Sequence, residues 1–311
     1  YARGSRRIVP VHTCPVHDER GNRTAFLFFD ACARAGVTAA DVPTSHARRP
    51  QEGSLRSIAA RVAIGTAELM ATLVIANDRD ARLRSATRRA MTCEGSPTSL
   101  HLNVHRRGDA FIFGDETRHV SGPLRLREQV LDTQFLISPT AFFQTNVRAA
   151  ALLVRLVLDA VPTNATVLDL YAGAGLFALP LAQRGHTVTA VEENPDAVAD
   201  GEASARINRV ASDRCRFVMR RVEAALRMIR TADVVILDPP SEGCGPGIMT
   251  DVLGRLRPRR VIYVSCNPEA LAHDLVAIRP FGYTIERVQP VDMFPHTAHV
   301  ETVVTLDATT A

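Results

Sequence analysis

Cys266 follows a run of strand-forming residues, 261–264, and stands between Ser265 and the pair Asn267-Pro268. A buried strand that ends in a polar cysteine turn is one way in which an open α/β sheet presents a nucleophile at its carboxyl edge. A lone cysteine is also among the residue types most often buried for packing alone. Residues elsewhere in the chain must therefore decide between a catalytic and a structural thiol.

Two acidic residues are expected to lie near Cys266. From Thr166 onward, strand and helix patterns alternate and predict a doubly wound parallel sheet whose final strand, 302–306, runs antiparallel. If that strand inserts beside the fifth, Glu301 lies near Cys266, and Asp238 comes off the neighbouring fourth strand. Carbon methylation of a pyrimidine needs such a set, because a thiolate must add to C6 and a base must later remove the C5 proton. A nitrogen methyltransferase needs neither group.

A glycine turn precedes these residues in the chain. Asp169-x-x-x-Gly173-x-Gly175 lies between a predicted strand and a predicted helix, and Glu192 closes the next strand. The glycines allow close backbone approach to a nucleoside, and Glu192 is expected to accept its ribose hydroxyls. Ala178 stands where a dinucleotide fingerprint has its third glycine. Because alanine also occurs at that position, this motif alone leaves NAD open.

Composition limits the remaining possibilities. The net charge of +4 permits nucleic-acid binding without establishing it, and all 37 basic residues are arginine. No apolar run approaches the roughly 20 residues that span a bilayer, so no membrane association is expected. The six cysteines form no C-x-x-C pair, which argues against a zinc ribbon and a secreted disulfide framework. We expect reduced thiols and a cytoplasmic protein.

The pattern predicts two domains, 1–125 and 126–311. The first is expected to be a small α+β unit with arginine-bearing loops, which are either a solvated face or contacts to an RNA backbone. Its expected helices are 25–35 and 78–91, and its expected strands are 58–64, 69–75, 100–104 and 111–114. The second begins with a connection over 116–136 and a helix to about Val161, which Thr145 or Asn146 can cap.

Five ordered motifs over residues 142–301 resemble the RNA 5-methyluridine methyltransferase family. They are Phe142-Phe143-Gln144-Thr145-Asn146, Leu168-Asp169-Leu170-Tyr171-x-Gly173-x-Gly175, Leu237-Asp238-Pro239-Pro240, Ser265-Cys266-Asn267-Pro268 and Asp292–Glu301. The resemblance is fainter over 57–122. It implies an α/β fold of the Rossmann-like class I type that uses S-adenosyl-L-methionine (SAM), with a smaller α+β domain before it.

Residue roles follow from this resemblance by position. It implies that Cys266 is the nucleophile at C6 of uracil and that Glu301 is the base that removes the C5 proton. Gln144 and Asp238 would hold the uracil and the methyl donor. Tyr171 and Glu192, with the glycines 173 and 175, would surround the cofactor. A flipped-out uridine would enter the cleft, as base-modifying enzymes require.

The sequence also departs from the family pattern. Ribosomal-RNA members often carry an N-terminal barrel domain (TRAM) and a cysteine run that, with a downstream cysteine in a Cys-Pro context, binds a [4Fe-4S] cluster. Here only Cys14-Pro15 is found, so Cys14 would be an orphaned ligand and no cluster is expected in this chain. Ser241, Arg220-Arg221 and His273 replace residues usual in the family. The Cys14 context favours the ribosomal-RNA branch, hence 23S rRNA as partner, and no DNA is expected.

Two other functions remain open. An RNA cytosine-C5 methyltransferase also uses a cysteine, but it typically has one directly after Asp-Pro-Pro, where this chain has Ser241. A non-catalytic RNA-binding protein with a degenerate SAM site is the alternative outside the enzymes. The presence of both Cys266 and Glu301 disfavours it.

Overall fold

The computed structural model describes residues 5, 9–11, 13–14, 17–40, 53–107, 111–276 and 278–309. Two compact units divide between Leu126 and Arg127. The sequence also predicts a polar loop at 43–53 and a turn at 106–109; most of that loop, and residues 108–109 of the turn, lie outside the described residues. No helix in the described ranges is long and apolar enough to cross a membrane.

The first unit is a four-stranded sheet with two helices. Its strands are ordered β1-β2-β3-β4, with β2 and β3 parallel and the outer pairs antiparallel. Every residue of β2 is buried, and one face of the sheet packs with the helices around Phe28, Leu73 and Leu100. Asp18 and Asp80 cap the two helices. The elements are α1 (Glu19–Arg34), β1 (Leu55–Val62), β2 (Leu69–Ile75), α2 (Ala81–Ala90), β3 (Ser99–Val104) and β4 (Glu116–Ser121).

The strand expected at 111–114 is wrong. Phe111 and Ile112 are 72% and 67% exposed, and pairing with β3 begins only at Glu116 opposite Val104. The buried Asn103 side chain explains the difference, because its Oδ1 accepts the Gly114 amide at 2.6 Å and its Nδ2 donates to the Gly114 carbonyl at 3.0 Å. A side chain thus takes the backbone bonds that a strand partner would have made.

The second unit contains a seven-stranded sheet in the order β12-β13-β11-β10-β7-β8-β9, in which only β13 runs against the others. This confirms the predicted doubly wound sheet with an inserted antiparallel strand. Its strands are β7 (Thr166–Leu170), β8 (Thr187–Glu192), β9 (Cys215–Met219), β10 (Val234–Leu237), β11 (Arg260–Ser265), β12 (Tyr283–Val291) and β13 (Glu301–Ala308). The helices are α3 (Val147–Ala160), α4 (Ala178–Gln183), α5 (Pro195–Ile207), α6 (Val222–Leu226), α7 (Pro246–Thr250) and α8 (Pro268–Val276).

Four of the described elements were not expected: strands β5 and β6, helix α7 and the π-helical segment that follows it. A two-stranded sheet of β5 (Leu126–Val130) and β6 (Thr133–Ile137) occupies much of the connection predicted at 116–136. Helix α7 continues into a π-helical segment, Asp251–Leu256, before β11. Strands β5 and β6 alternate buried residues with more exposed ones over only five positions each, which is too short for a recognisable period-2 pattern in the sequence.

The centre of the large sheet is dry and closely packed. All four residues of β10 are fully buried, as are 261–264 of β11. Burying such side chains stabilises a fold by roughly 1.5–3 kcal/mol each. The residues that directly follow these strands, Asp238 and Cys266, are therefore attached to fully buried strands at the centre of the sheet.

Candidate active site

Cys266 lies at the apex of a hydrogen-bonded turn between β11 and α8. The Ser265 hydroxyl accepts the Asn267 amide at 3.1 Å and donates to the Asn267 carbonyl at 3.0 Å. The Asn267 side chain then accepts the amides of Glu269 and Ala270, at 3.0 and 3.3 Å, and so caps α8. Because the residues on both sides are fixed, the half-buried thiol has a defined position at the edge of the sheet.

Glu301 begins the strand next to Cys266. In the antiparallel ladder between β11 and β13, Ser265 pairs with Thr302, so the next pair along the ladder is Cys266 with Glu301. The Glu301 residue is 2% exposed, and this burial raises the pKa of its carboxyl to about 7. Near neutral pH the group is therefore able both to accept and to release a proton.

Asp238 follows β10, the strand on the other side of β11. Leu237 pairs with Tyr263, and the Asp238 amide donates to the Leu170 carbonyl at 3.4 Å. Burial raises the pKa of Asp238 well above its ordinary value, and the carboxylates of Glu301 and Asp169 add to the effect. The structure thus brings together the thiol and the two carboxylates that the sequence pattern placed at one edge.

The thiol of Cys266 is not activated by its surroundings in the protein alone. Burial is the largest cause that raises its pKa, and the negative charges of Glu301, Asp238 and Glu242 raise it further. A backbone hydrogen bond lowers the pKa by less than burial raises it. At neutral pH the thiol is therefore predominantly protonated. Addition of the Cys266 sulfur to a nucleobase therefore requires a proton acceptor or a bound cation that favours the thiolate.

The glycine turn after β7 has the backbone shape of a ligand cradle. Tyr171, Gly173 and Gly175 all have positive φ angles, of 63°, 53° and 87°. A Cβ atom at Gly173 would meet nothing within 4 Å, whereas one at Gly175 would lie 2.8 Å from the Phe217 ring. At Gly175 a side chain would collide with the Phe217 ring, so glycine is needed there for packing. Gly173 borders open space, as expected where a backbone approaches a ligand.

Glu192 braces this turn. One of its carboxylate oxygens accepts the Gly173 amide at 2.9 Å, and the other accepts the Asn194 amide at 2.8 Å. An ionised carboxylate has about four acceptor positions, so two remain for a ligand. The predicted contact with ribose is compatible with this arrangement, and the side chain has a structural task as well.

The site brings together three carboxyl groups, of Asp169, Asp238 and Glu301. Asp169 is fully buried, its side-chain oxygens have no hydrogen-bond partner of standard geometry, and burial raises its pKa to about 8. Within the described parts of the chain, no arginine forms an ion pair with any of the three. Asp169 and Asp238 are largely neutral near pH 7, and a ligand that carries positive charge would favour the ionised forms of all three carboxyls.

Gln144 and Tyr171 border the site in different ways. Asn146 caps α3 and donates to the Met293 carbonyl at 3.0 Å, which places the segment of Gln144 against the loop that leads to Glu301. The Tyr171 ring packs against the apolar cluster beneath the turn, and burial raises the pKa of its hydroxyl. Tyr171 thus forms part of the floor of the turn.

Cys14 is distant in sequence from this site. Its backbone amide and carbonyl bond to the Asn22 side chain at 3.2 and 2.9 Å. Among the described residues, no group of three or more potential metal ligands is found. Since a [4Fe-4S] cluster takes four thiolates, the residues described around Cys14 do not fit one.

Sequence analysis assigned no role to two residues that the structure highlights. Phe142 is 69% exposed beside the partly buried Gln144, although a large aromatic ring is normally covered. Asn267 donates through Nδ2 to the Ser241 carbonyl at 2.9 Å and so joins the cysteine turn to the segment after Asp238. An asparagine before proline at a strand end signals a helix cap, but the second bond has no sequence signal.

Comparison with known proteins supports the predicted fold and family. Residues 64–309 match the family described as tRNA (Uracil-5-)-methyltransferase. Proteins from Gloeobacter violaceus and Synechocystis, both named uncharacterized RNA methyltransferases, are 35% and 34% identical over 99% of this chain, which spans 65% of their length. The solved structure of Pyrococcus abyssi tRNA (uracil-54, C5)-methyltransferase in complex with S-adenosyl-L-homocysteine matches with a TM-score of 0.79 at 29% identity, covering 96% of this chain and 70% of that one. The class I methyltransferase fold is confirmed.

Proposed function

This chain belongs to the tRNA (uracil-5-)-methyltransferase family, and from that premise we propose that it methylates C5 of uracil in RNA with SAM as methyl donor. The observation that carries the proposal is that Cys266 directly follows β11 and Glu301 begins β13, one residue beyond the Ser265–Thr302 pair of the antiparallel ladder. Uracil C5 methylation needs a nucleophile for C6 and a base for the C5 proton within reach of one ring. The placement of the two residues at one end of that ladder meets this requirement.

SAM fits the carboxyl-rich edge and the turn beside it. Its sulfonium is a cation that would favour the ionised forms of Asp169 and Asp238, and when bound it supplies an electrophilic methyl group. Gly173 and Gly175 provide the backbone cradle, Glu192 retains acceptor positions for ribose, and Tyr171 supports the turn. The relative from Pyrococcus abyssi, solved with S-adenosyl-L-homocysteine, supports the same choice of cofactor.

Cys266 forms the first covalent bond to the substrate in the proposed reaction. Its thiolate forms a bond to C6 of the flipped-out uracil, which places electron density on C5 for methyl transfer. Glu301 then accepts the C5 proton, and the returning electron pair expels the Cys266 sulfur from C6. A carboxyl with a pKa of about 7 suits this exchange because it is largely ionised slightly above neutral pH and is still readily reprotonated.

The remaining residues bind the base. Gln144 and Asp238 are proposed to hold the uracil through its carbonyl and imide edge, and Asp238 also borders the donor site. Because burial and neighbouring carboxylates raise the pKa of Asp238, its carboxyl can serve as a hydrogen-bond donor when protonated. The exposed ring of Phe142 offers a stacking surface for an extruded base.

We propose 23S rRNA as the target and residues 1–125 as an RNA-binding domain. The Cys14-Pro15 context supports the ribosomal branch, and the exposed arginines of α2 support contact with phosphates. The relative of known structure is named for a tRNA uridine. Transcripts of both RNAs therefore belong in the same assay.

The test is covalent trapping. Fluorine at C5 cannot leave as a proton does, so 5-fluorouridine-substituted 23S rRNA incubated with the protein and SAM should remain bonded to Cys266, as seen by peptide mass spectrometry. Cys266→Ala should form no adduct, whereas Cys93→Ala, which alters an exposed thiol, should react like the natural sequence.

Each outcome of this test is informative. An adduct with tRNA but not with rRNA would refute the proposed target and keep the chemistry. Full methyl transfer by Cys266→Ala would refute the mechanism.

A further inference from the structure

Segment 238–245 joins β10 to α7 and carries negative charge toward Cys266. Asp238 and Glu242 both raise the pKa of the Cys266 thiol. Within the segment, the Gly243 amide donates to the Pro240 carbonyl at 2.9 Å. The position of this segment therefore determines how much negative charge surrounds the nucleophile and where Asp238 stands relative to it.

A buried carboxylate on α8 holds the far end of that segment. Asp274 is 5% exposed, and its Oδ2 accepts both the Cys244 amide at 2.8 Å and the Tyr263 hydroxyl at 2.6 Å. Tyr263 belongs to β11 and is fully buried. One oxygen atom thus connects segment 238–245, strand β11 and helix α8, away from water, where a lost partner is costly.

Gly243 allows this carboxylate to approach the backbone. A Cβ atom at Gly243 would lie 2.7 Å from Asp274 Oδ2, and the residue has a φ of 85°, which favours glycine. The nearer end of the segment is tied independently, because Asn267 donates to the Ser241 carbonyl at 2.9 Å. The segment is consequently fastened at two points to the elements on either side of Cys266.

We propose that Asp274 is a positioning residue for the reaction: through Cys244 and Tyr263 it holds segment 238–245 so that Asp238 and Glu242 face the Cys266 thiol. Asp274 touches neither substrate nor cofactor in this scheme. Its turnover consequence rests on the proposed function, whereas its effect on the thiol does not.

The first measurement needs neither RNA nor SAM. The rate at which iodoacetamide alkylates Cys266 is followed against pH by peptide mass spectrometry, with the exposed Cys93 of the same chain as reference. In Asp274→Ala the segment loses its tie at Cys244, so Glu242, which lies between Cys244 and the separately tied Ser241, withdraws and the thiol pKa falls. The Cys266 profile should move to lower pH while the Cys93 profile stays unchanged. Glu301 keeps its place on β13 throughout.

Asp274→Asn is the matched control. It removes the same charge, but its amide oxygen can still accept from the Cys244 amide and the Tyr263 hydroxyl, so the Cys266 profile should remain where it is. Tyr263→Phe removes one of the two bonds and should shift the profile in the same direction as Asp274→Ala, by less. That variant carries the test if Asp274→Ala does not fold.

Turnover provides the second readout. A misplacement of about 1 Å can cost roughly 10²-fold in rate, so Asp274→Ala should lose about that factor in kcat with little change in the KM for SAM, and Asp274→Asn should restore most of it. The proposal is overturned if the pH profile of Cys266 alkylation is the same in all variants. It is also overturned if that profile shifts as far in Asp274→Asn as in Asp274→Ala. If the natural chain methylates no RNA, the proposed function fails while the alkylation result still stands for Asp274.

Discussion

Removing the buried carboxyl of Glu301 should stabilise the protein above neutral pH. The folded state raises the pKa of this group from 4.5 to about 7. The wild-type carboxyl is therefore neutral in the folded state over a range where it is ionised in the unfolded chain. Its contribution to stability is fully present below pH 4.5 and is lost as the pH rises through about 7.

The magnitude follows from the two pKa values. At about 1.36 kcal/mol per pKa unit, the difference between about 7 and 4.5 corresponds to about 3 kcal/mol. Glu301→Gln is neutral at every pH and close in shape. We expect its free energy of unfolding to equal that of the wild type near pH 4 and to exceed it by up to about 3 kcal/mol at pH 9.

Urea denaturation at intervals from pH 4 to pH 9 measures the effect directly. Glu202→Gln, at an exposed position on α5, removes the same charge without relieving burial and should follow the wild type across the range. Parallel curves for Glu301→Gln and the wild type would refute the assignment of a buried carboxyl with a raised pKa. In the presence of RNA and SAM, the same variant should accumulate the methylated covalent adduct, because nothing then takes the C5 proton.

Three further predictions concern binding. SAM should gain affinity over S-adenosyl-L-homocysteine as pH rises from 6 to 9, since Asp169, with a pKa of about 8, ionises in that range and only SAM carries a sulfonium charge. A constant ratio of the two affinities by calorimetry would contradict this. Gly173→Ala should weaken SAM binding and destabilise the fold by only about 1 kcal/mol of backbone strain. Gly175→Ala should destabilise the fold more, because its Cβ would lie 2.8 Å from the Phe217 ring. Equal unfolding midpoints for the two variants would contradict this. Replacing Arg84 and Arg88 of α2 by Gln should lower the slope of log affinity for RNA against log salt by about 0.7 per lost phosphate contact; an unchanged slope, as expected for Arg206→Gln on α5, would argue against an RNA face on α2.

Periodicity and local motifs were sufficient for the large sheet. The apolar runs 215–219 and 234–237 predict strands with the bounds that β9 and β10 have, and Asn146, one of the two predicted cap residues, caps α3. These signals work because they depend on neighbouring residues, which a sequence displays directly. The alternation of strands and helices, together with the absence of a helix between the last two strands, was enough to predict that β13 runs antiparallel, whereas its insertion beside β11 is seen in the structure.

Long-range side-chain contacts decided the rest. The Asn103 side chain replaced a predicted strand by binding the backbone at Gly114, eleven residues away. Asp274, thirty residues from Cys244, closes a buried junction that no motif signals. The sequence identified Cys266 and Glu301 as a pair, but only the tertiary structure sets the Glu301 pKa near 7, because ionisation depends on how completely other segments exclude water from the carboxyl.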